Sequence, residues 1–99
     1  MKVKINVTQR DIELGKKKSC EGCPHGIAIK RRLICELQVL VGHGNVFIWR
    51  HGWPLDFKIP TPQMVSLWMT NFDNYRFVEP IRYFLDIPVR YLRAGKGPQ

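Results

Sequence analysis

No run of apolar residues in this 99-residue chain approaches the roughly 18 that a membrane-spanning helix requires. No membrane partner is therefore expected. The N-terminal stretch MKVKINVTQRDIELGKKK alternates charged with apolar positions and lacks an apolar h-region. From this we expect no secretory signal and a cytoplasmic location. Cysteine is scarce and odd in number, three in all, which argues against a secreted disulfide framework. Only two serines occur, Ser19 and Ser66, and neither stands in a Gly-x-Ser-x-Gly elbow. A glycine-rich phosphate loop is also missing. Asp11 and Glu13 read as the surface of a helical turn, and His25, just after Pro24, reads as a first-turn surface residue. Together these absences predict a protein that binds rather than catalyses.

Acidic residues are also in short supply. Sixteen Lys and Arg stand against eight Asp and Glu, a net charge of +8 and a pI near 9.8. Residues 1–50 hold ten of the bases and four of the acids, a net of +6; residues 51–99 hold six and four, a net of +2. Clustered positive charge of this size is the electrostatic footprint of a polyanion binder, and equally of a solubilising surface.

The length fits one small domain, residues 1–93, followed by a loose basic tail, 94–99. Val3, Ile5 and Val7 alternate with Lys2, Lys4 and Asn6, the period of a half-buried strand. Thr8 to Asp11 resembles a capping box with Asp in the third position. It opens a helical turn over residues 9–14 that Gly15 is expected to end in a left-handed conformation. Pro24 suits a helix start, and the helix is expected to run from Cys23 or Pro24 to about Leu37. QVLVGHGNVFIWR reads as a hairpin with its turn at Gly42–Asn45. The segment WPLDFKI reads as an edge strand because Pro54 cannot donate to a ladder. Thr61 as N-cap and Pro62 as first helical residue open an amphipathic helix with Val65, Trp68, Met69 and Phe72 on one face, ending at Asp73-Asn74. IRYFLDI alternates as a last strand. This order predicts an α+β fold, a small antiparallel-rich sheet with two helices, and a ferredoxin-like arrangement is among those that fit.

Three chemistries compete for the segment KKKSCEGCPHGIAIKRR. Cys20 and Cys23 have the spacing of half a zinc site, but a structural zinc wants four ligands. Cys35, placed about 18 Å along the same expected helix, and His25, His43 and His51 are the only other candidates. A Cys-x-x-Cys at a helix N-terminus also suits a lowered thiol pKa, yet no strand precedes it as a redox fold would require. Two cysteines packed at a helix entry are the third reading. The basic triples Lys16, Lys17, Lys18 and Lys30, Arg31, Arg32 could form a stripe of phosphate contacts before and along that helix. Aromatic residues for stacking exist in Phe47, Trp49, Trp53, Trp68, Tyr75, Tyr83 and Tyr91, although alternation or helical spacing assigns most of them to the core. GHGNVFIW has glycines at the offsets of the RNA-recognition RNP1 pattern, but His43 and Asn45 stand where stacking aromatics belong.

The segments TQRDIELGKKKSCEGCPHGIAIKRR and MTNFDNYRFVEPIRYFLDIP resemble a diffuse group of small bacteriophage-encoded proteins without assigned activity. The matching positions are Thr8, Gln9, Ile12, Gly15, Cys20, Cys23, Pro24, Ala28, Arg31, Phe72, Asp73, Val78, Glu79 and Pro80. The chain departs from the group at His25 and Gly26, where the group tends to carry apolar residues and Ala. The resemblance implies a phage accessory protein in the bacterial host cytoplasm and implies no chemistry. The expected partner is then nucleic acid, or an acidic host protein that handles it, met through the basic N-terminal half. The alternative is a zinc-stabilised or thiol module built on Cys20 and Cys23. A third reading is a scaffold or dimer-forming protein that uses Trp49 and Trp53 as an interface.

Overall fold

The computed structural model describes residues 1–19, 22–50, 52 and 57–93. The alternation of the first segment becomes strand β1, Lys2–Val7, with Val3, Ile5 and Val7 buried and Lys2, Lys4 and Asn6 exposed. Thr8 then caps helix α1, Gln9–Leu14. Its hydroxyl accepts from the Asp11 amide, and the Asp11 carboxylate accepts from the Thr8 amide. Helix α2, Pro24–Arg31, starts with proline where no intrahelical donor is needed. Strands β2, Leu37–Val41, β3, Asn45–Arg50, and β4, Phe57–Pro60, follow, then helix α3, Gln63–Asp73, and strand β5, Ile81–Asp86. A short 3-10 turn at Val89–Tyr91 comes last.

The fold is α+β, as expected, but its strands divide between two antiparallel sheets. β1 pairs with β5, and β2, β3 and β4 form a second sheet in that order. The ferredoxin-like arrangement, which needs a single sheet, is therefore not the one adopted. Each sheet turns one face inward. Val3, Ile5 and Val7 stand opposite Leu85, Tyr83 and Ile81, and Val39 and Val41 stand opposite Ile48 and Val46. Those side chains join Ala28 and Ile29 of α2 and Val65, Trp68, Met69 and Phe72 of α3 in one apolar core. α2 packs against both β1 and β2, so it links the two sheets.

Details at α2, Gly15 and α3 differ from the sequence reading. α2 stops at Arg31 rather than near Leu37, because segment 91–93 takes over the next backbone groups. The Ile34 amide donates to the Tyr91 carbonyl, the Arg93 amide donates to Arg32, and Leu33 bridges Leu92. Cys35 is thus off the helix and exposed. Gly15 is extended, not left-handed (φ −72°, ψ 152°). Its role is close approach, since a Cβ there would lie 2.4 Å from Pro24 Cγ and 2.8 Å from Pro24 N. At α3 the N-cap is Pro62, one residue later than expected, because the Thr61 hydroxyl donates instead to the Gly42 carbonyl at 2.7 Å. β4 is an edge strand, as expected; Trp53 and Pro54 of that segment lie outside the described residues, as does the tail 94–99. Among the described residues no helix is long and apolar enough to cross a membrane.

Candidate functional site

The two basic triples sit at opposite ends of α2, whose eight residues span about 12 Å. The stripe expected along one helix is therefore split. Its second half is largely engaged in holding the fold together. Arg31 pairs with Asp11 and also donates to the Asn6 carbonyl at 3.3 Å. Arg32 donates to the Lys4 carbonyl at 2.9 Å. Those carbonyls lie along the edge of β1 that faces away from β5, so two guanidinium groups blunt an otherwise open strand edge. Lys30 reaches Gln38 Oε1 at 3.3 Å and is otherwise exposed. Asp11, read from the sequence as a surface acid, is only 2% exposed as the partner of Arg31 and of the Thr8 cap. No stripe of apolar spacing could have announced that. The capping box was the one signal that its carboxylate had a fixed place.

The first triple forms a platform with the end of α3. The Lys16 amide donates to the Gly22 carbonyl at 2.8 Å, which closes the loop onto the entry of α2. The Lys18 amide donates to Asp73 Oδ1 at 2.8 Å. Lys17 Nζ stands 4.1 Å from the centre of the Phe72 ring and 5.0 Å from that of Tyr75, close enough for cation–π attraction. Next along the chain come Arg76 and Phe77, both exposed. Lys17 and Lys18 thus meet the end of α3 at Phe72, Asp73 and Tyr75, with Arg76 next in the chain, and one Asp73 oxygen is already engaged by the Lys18 amide. A groove of about 300 Å³ opens beside Phe77, walled by Trp68, Asn71 and Pro80. That size is at the small end of ligand clefts. Tyr75 was named from the sequence as one of many aromatics. Phe77 and Arg76 were missed, because a short segment between a helix and a proline carries no periodicity to interpret.

The cysteine segment is described only in part, since Cys20 lies outside the described residues. Cys23 is buried as the N-cap of α2, its Sγ accepting from the Gly26 amide at 3.3 Å. It lines a hollow of about 220 Å³ shared with Lys18, His43 and Asp73. Among the described residues no group of three or more His, Cys, Asp or Glu side chains is placed to hold a metal ion.

His25, expected on the surface, is fully buried where α2, α3 and β5 meet. Its Nδ1 lies 2.7 Å from the Tyr83 hydroxyl, and its ring meets Trp68 perpendicularly with centroids 4.5 Å apart. Trp68 in turn donates from Nε1 to the Glu79 carbonyl at 2.8 Å. Nε2 of His25 has no hydrogen-bond partner among the described residues. Burial lowers the imidazole pKa from 6.5 to about 4, so the ring is neutral at pH 7. Burial also raises the Tyr83 hydroxyl well above its usual value, and Cys23 acts in the same direction. Both members of this pair are therefore neutral across the ordinary pH range. The pair knits three elements together, α2, α3 and β5. A signal for the burial was present: His25 shares a helix face with Ala28 and Ile29, three and four residues on.

A comparison of the chain with known protein families, curated proteins and solved structures finds no match.

Proposed function

We propose that the protein is a non-enzymatic nucleic-acid-binding protein whose contact surface is the Lys16–Lys18 loop with Arg76. The observation that carries this reading is how differently the two triples are used. Arg31 and Arg32 are bound into the fold, whereas Lys16, Lys17 and Lys18 are held by backbone and ring contacts that leave their charges unpaired with any acid among the described residues. Backbone anchoring fixes where the charges stand without neutralising them, and phosphate binding needs that arrangement. The resemblance to small phage proteins supplies the setting: an accessory protein in the bacterial cytoplasm.

Binding to generic DNA and RNA, measured across a salt titration, tests the proposal. Four phosphate contacts imply that log K falls against log salt with a slope of about −3. Replacing Lys16, Lys17 and Lys18 together by Met keeps the aliphatic stems and is expected to bring that slope to about −1. Lys30→Met, at the other end of α2, is expected to leave it unchanged. No binding at low salt, or a slope near zero, would overturn the reading and turn the search to an acidic protein partner.

A further inference from the structure

We infer that the nucleic acid held at this surface is single-stranded and that its bases stack on Tyr75 and Phe77, an inference that rests on the reading above. These two rings are the most exposed large apolar side chains among the described residues, at 79% and 85%. They are two residues apart, so their Cα atoms lie within about 7 Å of each other. Arg76 stands between them and Lys17 lies against Tyr75. Cations alternating with exposed flat rings make up a single-strand platform, in which the charges track the phosphates and each ring takes the face of a base. A duplex hides its base faces inside the stack, so it could use only the charges.

The backbone beneath Tyr75 supplies an independent argument. Asn74 is the C-cap of α3. The Arg76 amide donates to the Asn71 carbonyl at 2.9 Å and the Tyr75 amide to the Phe72 carbonyl at 3.2 Å. These are the two bonds of a Schellman motif, whose left-handed residue is usually glycine. Here that residue is tyrosine, with φ of 62°. Among the described residues the other non-glycine residue with positive φ is Lys18, at 58°, whose amide is bonded to Asp73 at the end of the same helix. Glycine would relieve both strains. A fold that puts a large ring and a long cation at left-handed positions, and leaves the ring uncovered, has a use for those side chains. The cation–π contact with Lys17 does not account for the exposure, because a ring serving only that contact would gain more by being covered. Among the described residues Phe77 has no ring or cation–π contact to account for it, and it lines the groove walled by Trp68 and Asn71. Glu79 lines that groove, so the phosphates are expected to run on the Lys17 side of the rings.

The test uses the full chain and two labelled DNA probes, an unstructured oligo(dT) and a closed hairpin duplex of similar charge, read by fluorescence anisotropy at one low salt concentration. Oligo(dT) is expected to bind at least about tenfold more tightly than the hairpin, because stacking adds to the charge contacts only for the single strand. Tyr75→Gly removes the ring and suits the left-handed backbone, so loss of folding cannot explain its result; thermal unfolding of the variant confirms this. Tyr75→Gly and Phe77→Ala are each expected to weaken oligo(dT) binding roughly 5- to 150-fold, and to change hairpin binding less than twofold. Hairpin binding as tight as oligo(dT) binding overturns the inference and leaves nucleic-acid binding standing. So does oligo(dT) affinity that survives both substitutions. Binding of neither probe overturns both.

Discussion

Acidification offers the sharpest test of the interior. His25 is neutral and fully buried in the folded chain, with its pKa lowered by burial from 6.5 to about 4. Between those two values the unfolded chain binds a proton at this ring and the folded chain does not. Stability therefore rises with pH across that window. It is fully present above pH 6.5, declines as pH falls toward 4, and suffers no further loss from this group below 4. Each pK unit is worth 1.36 kcal/mol, so the full window removes about 3 kcal/mol. That is a large fraction of the 5–15 kcal/mol typical of a small domain, and at a urea slope of ~1–3 kcal/mol/M it moves the midpoint by roughly 1–3 M. Carboxylates also titrate in this range, so the wild-type curve alone does not isolate the imidazole. His25→Gln does, because its amide is neutral at every pH and can still accept from the Tyr83 hydroxyl. Urea unfolding followed by circular dichroism at pH 7, 5.5 and 4 is expected to show the variant losing about 3 kcal/mol less than wild type over that range. Parallel curves for the two proteins would refute the reasoning. So would a His25 imidazole NMR signal that titrates near 6.5 in the folded protein.

Two further outcomes follow from the packing. Gly15→Ala is expected to destabilise by about 1–3 kcal/mol in chemical denaturation, because the new methyl meets the Pro24 ring and backbone rather than a yielding side-chain tip; a neutral result would show that α1 and α2 can part at this point. Arg32→Met is expected to cost about 1 kcal/mol, the worth of one hydrogen bond to the Lys4 carbonyl, while leaving nucleic-acid affinity within about twofold; a loss of binding like that of the Lys16–Lys18 variants would return the second triple to the contact surface.

Local pattern made much of the fold legible. Thr8 and Asp11 gave the start of α1, because a capping box is a four-residue event whose partners are near neighbours in sequence. Alternation gave β1 and β5, and the glycine-rich turn gave the β2–β3 hairpin, for the same reason. Pairing between distant segments was not legible. Nothing within residues 2–7 says that their partner is 81–86 rather than the central hairpin, so one sheet was expected where two formed. Nothing within residues 30–37 says that Tyr91 and Arg93 will end the helix. His25 was misplaced because residue type outweighed position. The helical face shared with Ala28 and Ile29 pointed inward. Gly15 was assigned the conformational role of glycine when it plays the steric one, a distinction that depends on Pro24 packing across it.

The same contacts explain why the proposed binding surface falls where it does. α2 is the hub of the molecule. Its first turn is fixed by Cys23 and Pro24, and His25 ties it to α3 through Trp68 and to β5 through Tyr83. Its last turn is tied to α1 through Arg31 and Asp11 and to the β1 edge through Arg31 and Arg32. A helix of eight residues is too short to be stable alone and depends on these ties. Charges that serve as ties have limited freedom to meet a ligand, since a phosphate drawing Arg31 away would leave Asp11 buried without its partner, a severe penalty. The Lys16–Lys18 loop carries no such duty: its links to the core run through backbone amides and the flank of one aromatic ring. Its lysines can meet phosphates without loosening the hub. Strain points to the same place, because the left-handed Lys18 and Tyr75 both lie there, and strain of this kind persists where the rest of a structure can hold it and function gains from it. The difference between the two triples, one tied into the fold and one proposed to bind, is thus a consequence of which end of α2 faces the acid at position 11.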